Sequence, residues 1–475
     1  MTTLDFLCLS PVLPVAVAPL IILIFVALFR NYRLTYGITL FTLILSTFFI
    51  FYIIPDLPHI LNPLFVIDRF ALLFLGIIYL SAILIVLLSY TFIRNLTHFN
   101  EEYYIILLTA TLGAAILVVA NNFVSFFLGF EVLSISLYVL ISFQKTKEPA
   151  IEAGMKYLIL ASVSSAFMLF GMGLIYTRFG TMQFDVLSDD LAGMLQLSPM
   201  LLLGFGMMLV GLGFKLTLVP FHMWTPDVYQ GAPTPISAYI ATVSKGGMMA
   251  VFIRMYFMFG AYENRSFFVV ISAIAILSIM FGNILAIRQK NLKRLLGYSS
   301  IANMGFVLVV LLIGNPQGIN AAIFYLLSYF FATAGAFGIL TLLSTHSRPV
   351  EKLKDIRGLF WKRPWLAAAL TFSLFSLIGL PLTAGFMAKF YLILETVEAG
   401  ILFMAFIMLA GSLISLYYYF RVVTAMFSRK IGEDEYPFPK TGFSGWLATG
   451  VILFVILYLG LFPGGVIEVL AEFLK

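Results

Sequence analysis

The chain has 475 residues, of which 62% are hydrophobic and 11% charged, and its mean hydropathy is +1.05. A soluble globular protein carries about 25% charged residues, so this composition excludes one and describes an integral membrane protein with little mass outside the bilayer. The net charge of +6 gathers between apolar segments, which makes it a topology signal and not a nucleic-acid site.

Apolar runs of about 17–25 residues read as membrane helices. About fourteen are expected, at 12–29, 36–54, 70–92, 104–120, 123–143, 153–177, 198–230, 235–258, 267–286, 298–313, 319–343, 366–398, 401–427 and 443–466. The fold class is therefore an all-α polytopic membrane protein. The first run follows MTTLDFLCLS, which has no basic leader region and no small-residue cleavage site after it, so it is expected to be retained as a helix. Cys8 is the single cysteine, too few for an internal disulfide or an iron–sulfur cluster. No glycine-rich nucleotide fingerprint follows a strand. Neither a cofactor nor a metal is expected in this chain, and any redox chemistry belongs to another subunit.

Basic residues are unevenly shared. Nineteen of the 28 lysines and arginines fall in odd-to-even connections or at their edges, whereas Arg69, Arg178, Arg254 and Arg265 fall on the other side. The positive-inside rule then places the odd-to-even loops, including 346–364, in the cytoplasm and both termini outside.

Spans seven (198–230) and twelve (366–398) are too long for one straight crossing at about 1.5 Å per residue. Both hold helix breakers: Pro220 and Pro226 in the first, Pro381 and Gly385 in the second. An interior proline removes a backbone hydrogen bond and clashes with the preceding turn. The carbonyls it frees must be satisfied by protein or water, not lipid. Each span also carries one lysine, Lys215 and Lys389, 174 residues apart (389 minus 215). With five spans between them, the two run in opposite directions, as in transporters built from inverted repeats. The organisation expected is one transmembrane domain: helices 1–3 in 1–100, a first five-helix repeat in 101–260, a second inverted one in 261–430, and helix 14 in 431–475. Adding 174 to Glu131 lands on Gly305, so the second repeat lacks a matching glutamate.

The residues that carry chemistry are five charges inside apolar stretches: Glu131, Lys156, Lys215, Lys245 and Lys389. Such a group costs roughly 2.5–3.5 kcal/mol at mid-bilayer and marks a pathway for ions or protons. Glu131 could instead make a structural hydrogen bond, and a lysine could snorkel to the interface. Lys215 lies mid-span, which fits snorkelling poorly, and it is the expected partner of Glu131. A buried lysine can exchange its proton where arginine cannot, and separating a Glu–Lys pair favours neutralising both. Lys156 follows Glu152 at i, i+4 and could equally be an interfacial ion pair. His222 and Asp227 could serve proton access or cap a helix.

The segment GFKLTLVPFHMWTPDVYQGAPTPISAYIATVSKGG resembles the signature of the antiporter-like membrane subunits of respiratory complex I and of the related Mrp cation/proton antiporters. QKNLKRLLGYSSIANMGF resembles that family's cytoplasmic loop and start of helix ten. The resemblance covers essentially the whole chain. It implies a proton path through Glu131, Lys215, Lys245 and Lys389, with Lys156 in the helix-six role. Relatives of the M type carry glutamate at the position of Lys389. Those of the L type usually have histidine at the position of Lys245 and a long lateral helix, so the pattern fits the N type. Many relatives have histidine at Asn303, which puts a histidine relay through helix ten in doubt here. The resemblance further implies that FMN, iron–sulfur clusters and quinone reside in other subunits. Its partners would be the M and K subunits as neighbours, then L, J, A and H, with the lipid bilayer around them. The location implied is a bacterial inner membrane. The alternatives are an Mrp-type antiporter subunit or a structural spacer.

Overall fold

The computed structural model describes residues 3–54, 57–96, 100–191, 198–345, 348–428 and 438–473. The protein is an all-α, multi-pass membrane protein. Its described residues hold eleven helices long and apolar enough to cross a bilayer, and three shorter apolar ones, Leu13–Leu28, Pro199–Lys215 and Pro364–Ile378. The last two are the leading halves of the expected spans seven and twelve. The expected termini and part of the 346–364 loop lie outside the described residues.

The chain divides into two compact units, one formed by Met1–Ile83, Phe99–Trp224 and Val243–Ile271, the other by Leu84–His98, Thr225–Thr242 and Ser272–Lys475. Helix ends follow local chemistry. The Asn122 side chain accepts the Val124 amide at 2.8 Å to start Phe123–Ile141. Ser198 caps Pro199–Lys215, with proline in its first turn, the pairing expected where the first amides lack intrahelical partners. Gly180, at φ +69°, ends Glu148–Phe179, a left-handed position that glycine takes without a Cβ clash.

In the first unit the helices approach through small residues. A Cβ added at Gly171 would lie 2.4 Å from the Gly204 carbonyl oxygen, and one at Gly113 would lie 2.5 Å from the Leu133 amide. Membrane helices associate this way because lipid offers no hydrophobic drive, only backbone proximity and interhelical hydrogen bonds. A two-stranded hairpin, His59–Leu61 with Phe65–Ile67, precedes the Arg69–Arg94 helix. Asp68 then pairs with Arg254 at 2.7 Å. Arg254, expected on the outer side, is inside the helix Lys245–Met258 and buried. Burial works against the charge on Asp68, but the Arg254 guanidinium, its hydrogen bonds and the Ala71 amide outweigh it and hold the carboxyl below its usual range.

The second unit is organised around Leu292–Leu311 and Pro316–Leu343, both almost wholly buried. Gly305, where a second glutamate was sought, packs within 3 Å (Cβ position) of Ile279 and the Ala275 carbonyl. A carboxylate would not fit there.

Candidate functional site

The seventh span is interrupted around Pro220. Its first helix ends at Lys215, Thr217 turns left-handed at φ +61°, and helix resumes at Trp224–Gly231. Pro220 lies within the non-helical stretch, five residues past the end. The Leu218 amide donates to the Gly213 carbonyl at 2.8 Å, and Trp224 Nε1 donates to the Phe214 carbonyl at 3.0 Å. Those carbonyls are the ones a helix end leaves without amides.

Three of the expected charges gather at this break. Lys215 is 2% exposed, and its Nζ donates to the Tyr157 hydroxyl at 2.6 Å. The Phe130 and Tyr157 rings lie 5.0 and 5.2 Å from the ammonium, within cation–π range. Lys245, immediately after a π turn at Ile240–Ser244, is fully buried and donates to Thr217 Oγ1 at 2.7 Å. Glu131 is half-buried and accepts from Ser165 Oγ at 2.5 Å. The direct Glu131–Lys215 pair expected from the sequence is absent among the described residues, since none of their ion pairs within 4.0 Å includes Glu131. The Tyr157 hydroxyl is what the Lys215 ammonium meets instead.

Lys156 is separate from this group. Its side chain is 43% exposed and pairs with Glu152 at 2.7 Å, because one residue along a helix turns a side chain about 100° away from Tyr157. His222 is buried in the non-helical stretch, and its Nδ1 has no hydrogen bond among the described residues. Asp227 lies in the first turn of Trp224–Gly231 and forms a 2.6 Å ion pair with Arg294. Beside that pair Lys293 is buried on Glu351, at 3.2 Å, and on the Ala232 carbonyl, at 2.9 Å.

In the second unit Pro364–Ile378 ends at Gly379, φ +87°, and helix resumes at Ala384–Glu398. Pro381 lies in the gap with Leu382, which is left-handed at φ +72°. Gly385 is no breaker. It is already helical, and a Cβ there would fall 1.7 Å from the Ser376 carbonyl oxygen, so it permits close approach. Lys389 Nζ donates to the carbonyls of Leu377 and Ile378, at 3.1 and 2.8 Å, and lies 5.0 Å from the Phe306 ring. Asn303 donates to Ser299 Oγ at 3.1 Å and accepts from the Tyr325 hydroxyl at 2.7 Å.

The sequence reading missed Tyr157, Ser165 and Thr217, the neutral partners of the charges. The one signal was a tyrosine beside Lys156 in an otherwise aliphatic stretch. Among the described residues no three His, Cys, Asp or Glu side chains are grouped to hold a metal ion. What the arrangement offers is proton exchange among buried lysines, hydroxyls and one carboxylate.

Comparison with known proteins places this geometry. Residues 120–415 match the family model described as NADH:quinone oxidoreductase/Mrp antiporter, TM. The chain is 38% identical to the NADH-quinone oxidoreductase subunit N of Ectopseudomonas mendocina (strain ymp), over 98% of this chain and 96% of that one. It is similar in structure to a chain of respiratory complex I from Thermus thermophilus with bound aureothin, at TM-score 0.84 and 31% identity, covering 97% of this chain and 99% of that one. A chain of the Mrp complex from Dietzia sp. DQ12-45-1b shares the fold at TM-score 0.88 and 20% identity, with 100% and 97% covered. The protein belongs to the NADH:quinone oxidoreductase/Mrp antiporter transmembrane family.

Proposed function

We propose that the chain is the N-type, proton-translocating subunit in the membrane arm of an NADH:quinone oxidoreductase. The observation that carries this reading is Lys215, buried at the end of an interrupted helix with a neutral hydroxyl as its one hydrogen-bond partner among the described residues. A lysine so placed can be charged or neutral at modest cost, and each change passes a proton. Lys245 and Thr217 extend the group, and at the second break Lys389, on the trailing helix, bonds the end of the leading one. The two interrupted spans, with Lys215 at one break and Lys389 at the other, support reading the chain as two repeats. The chain acts as a non-redox part of a translocase, with FMN, iron–sulfur clusters and quinone held by other subunits. It sits in a bacterial inner membrane between M- and K-type neighbours, with L, J, A and H farther along. Purifying the tagged chain from native membranes tests this. It is expected to co-migrate with flavin and iron–sulfur subunits and with NADH:quinone reductase activity. Co-migration with other antiporter subunits and no flavin would move the chain to an Mrp-type antiporter.

Topology gives an independent check. Lys354 is exposed, while its neighbour Asp355 accepts the Glu351 and Lys352 amides and is better left in place. Lys354→Cys, in a Cys8→Ser background, is expected to react with an impermeant thiol reagent only after the membrane is opened. Labelling in intact cells would reverse the proposed orientation.

A further inference from the structure

We propose that a cavity in the first unit holds one acyl chain of a phospholipid whose headgroup ends in a primary ammonium, as in phosphatidylethanolamine. The inference stands whichever complex the chain belongs to, because it uses none of the residues assigned to proton exchange.

The cavity measures about 450 Å³, and every residue that lines it belongs to the first unit. Phe205, Met208, Leu209 and Leu212 line it from Pro199–Lys215. Phe252, Met255, Tyr256 and the capping Phe259 line it from Lys245–Met258. Both sets run i, i+3, i+4, i+7, which is one face of a helix. The two helices run antiparallel, and the Phe205 ring centre lies 6.0 Å from Phe259 and 5.5 Å from Phe267. Each stripe follows about 10 Å of helix at 1.5 Å per residue, from a polar rim at Ser188, Glu263 and Asn264 to Leu212 and Phe252 at mid-helix.

Size and lining are those of a small-molecule site. Water does not settle against apolar walls that offer it no partners, and in a bilayer the apolar group at hand is a lipid tail. Tyr256 interrupts the apolar lining. It is 5% exposed, and its hydroxyl has no hydrogen bond among the described residues. A buried hydroxyl without an acceptor is costly. This one sits in the last turn of its helix, the level at which membrane tyrosines meet headgroups and at which an ester carbonyl begins each tail. The rim selects the headgroup. Glu263 lines it, and Asp189 and Asp190, both exposed, follow Ser188 on Phe184–Leu191. None of the three forms an ion pair within 4.0 Å among the described residues. Three carboxylates attract an ammonium and repel a headgroup whose only charge is phosphate. Arg265, exposed at the start of the next helix, is left for the phosphate.

The test uses the intact complex in proteoliposomes of phosphatidylethanolamine and phosphatidylglycerol, doped with one or the other carrying a diazirine in an acyl chain. Label is read by peptide mass spectrometry per assembled complex after illumination. Phosphatidylethanolamine is expected to label both stripes, and phosphatidylglycerol to label them about threefold less, the scale of exposed charge pairs. Tyr256→Phe keeps the ring that packs 5.8 Å from Phe252 and is expected to lower the label about two- to tenfold, the scale of one hydrogen bond. Leu209→Trp fills the cavity and is expected to lower it about tenfold or more, the effect of excluding two or more buried methylenes. Equal labelling by the two lipids, no label on either stripe, or a label that added ubiquinone removes and unlabelled phosphatidylethanolamine does not, would overturn the assignment. Unchanged labelling in either variant rejects the site. Should Leu209→Trp fail to assemble, Tyr256→Phe alone decides.

Discussion

Glu131→Gln is expected to lower NADH:quinone reductase activity per assembled complex by about tenfold or more, although the redox centres are proposed to lie in other subunits. Glutamine keeps the size of the side chain and still accepts from Ser165, so folding and assembly should be little disturbed. What it removes is the anion, and with it one half of the proposed Glu–Lys exchange. On the translocation reading that exchange then stalls, and the electron transfer coupled to it stalls as well. Lys215→Ala should behave similarly, with some loss of stability from the space it leaves. Lys215→Arg should not rescue, because a guanidinium holds its proton under any physiological condition. Activity per assembled complex separates this from a spacer role, for which assembly would fall and turnover would stay normal. Normal turnover with normal pumping in Glu131→Gln would reject the mechanism.

Gly385→Ala should be as damaging through packing alone. The added Cβ would sit 1.7 Å from the Ser376 carbonyl oxygen, a backbone atom that cannot swing aside. The Gly385 amide also donates to Ser376 Oγ at 3.0 Å. Relief requires moving Ala384–Glu398 away from Pro364–Ile378, and that withdraws Lys389 from Leu377 and Ile378. Overpacking of this kind typically costs about 1–3 kcal/mol and sometimes more, and lost hydrogen bonds add to it. The expected result is a sharp fall in assembled protein. Gly450→Ala, on Phe443–Leu461 with nothing within 4 Å of the new Cβ, provides the control and should accumulate normally. Equal yields of the two variants would show that the contact at Gly385 relaxes freely.

Much of the fold was legible because bilayer length and apolar run length are the same quantity, so the helices fall where the hydropathy placed them. The two interruptions were legible as excess length plus proline. The residues that turn the chain within them were not, because Thr217, Gly379 and Leu382 take the left-handed conformations. Threonine carries no sequence signal for that conformation. The buried lysines stood out because lipid-facing positions do not tolerate them. Their partners did not. A helix that is apolar all round shows no preferred face in its sequence, so nothing in GMKYLIL told that Tyr157 faces inward while Lys156 turns out to Glu152. Glu131 and Lys215 form no ion pair within 4.0 Å among the described residues for the same reason: helix rotation decides which side chains meet.

The grip of Lys389 on the Leu377 and Ile378 carbonyls has a mechanical meaning. Those oxygens close the end of Pro364–Ile378, where roughly half a negative charge accumulates from the aligned peptide dipoles. The ammonium acts there as a fastener, and its cationic form fits that end best. Taking one proton away leaves an amine with a weaker hold on the same two oxygens, and the joint between the helix halves loosens. Occupancy by a proton is thereby written into backbone position, and a push on the backbone bears on how firmly that proton is kept. A lever of this kind joins chemistry at one side chain to displacement of a whole helix.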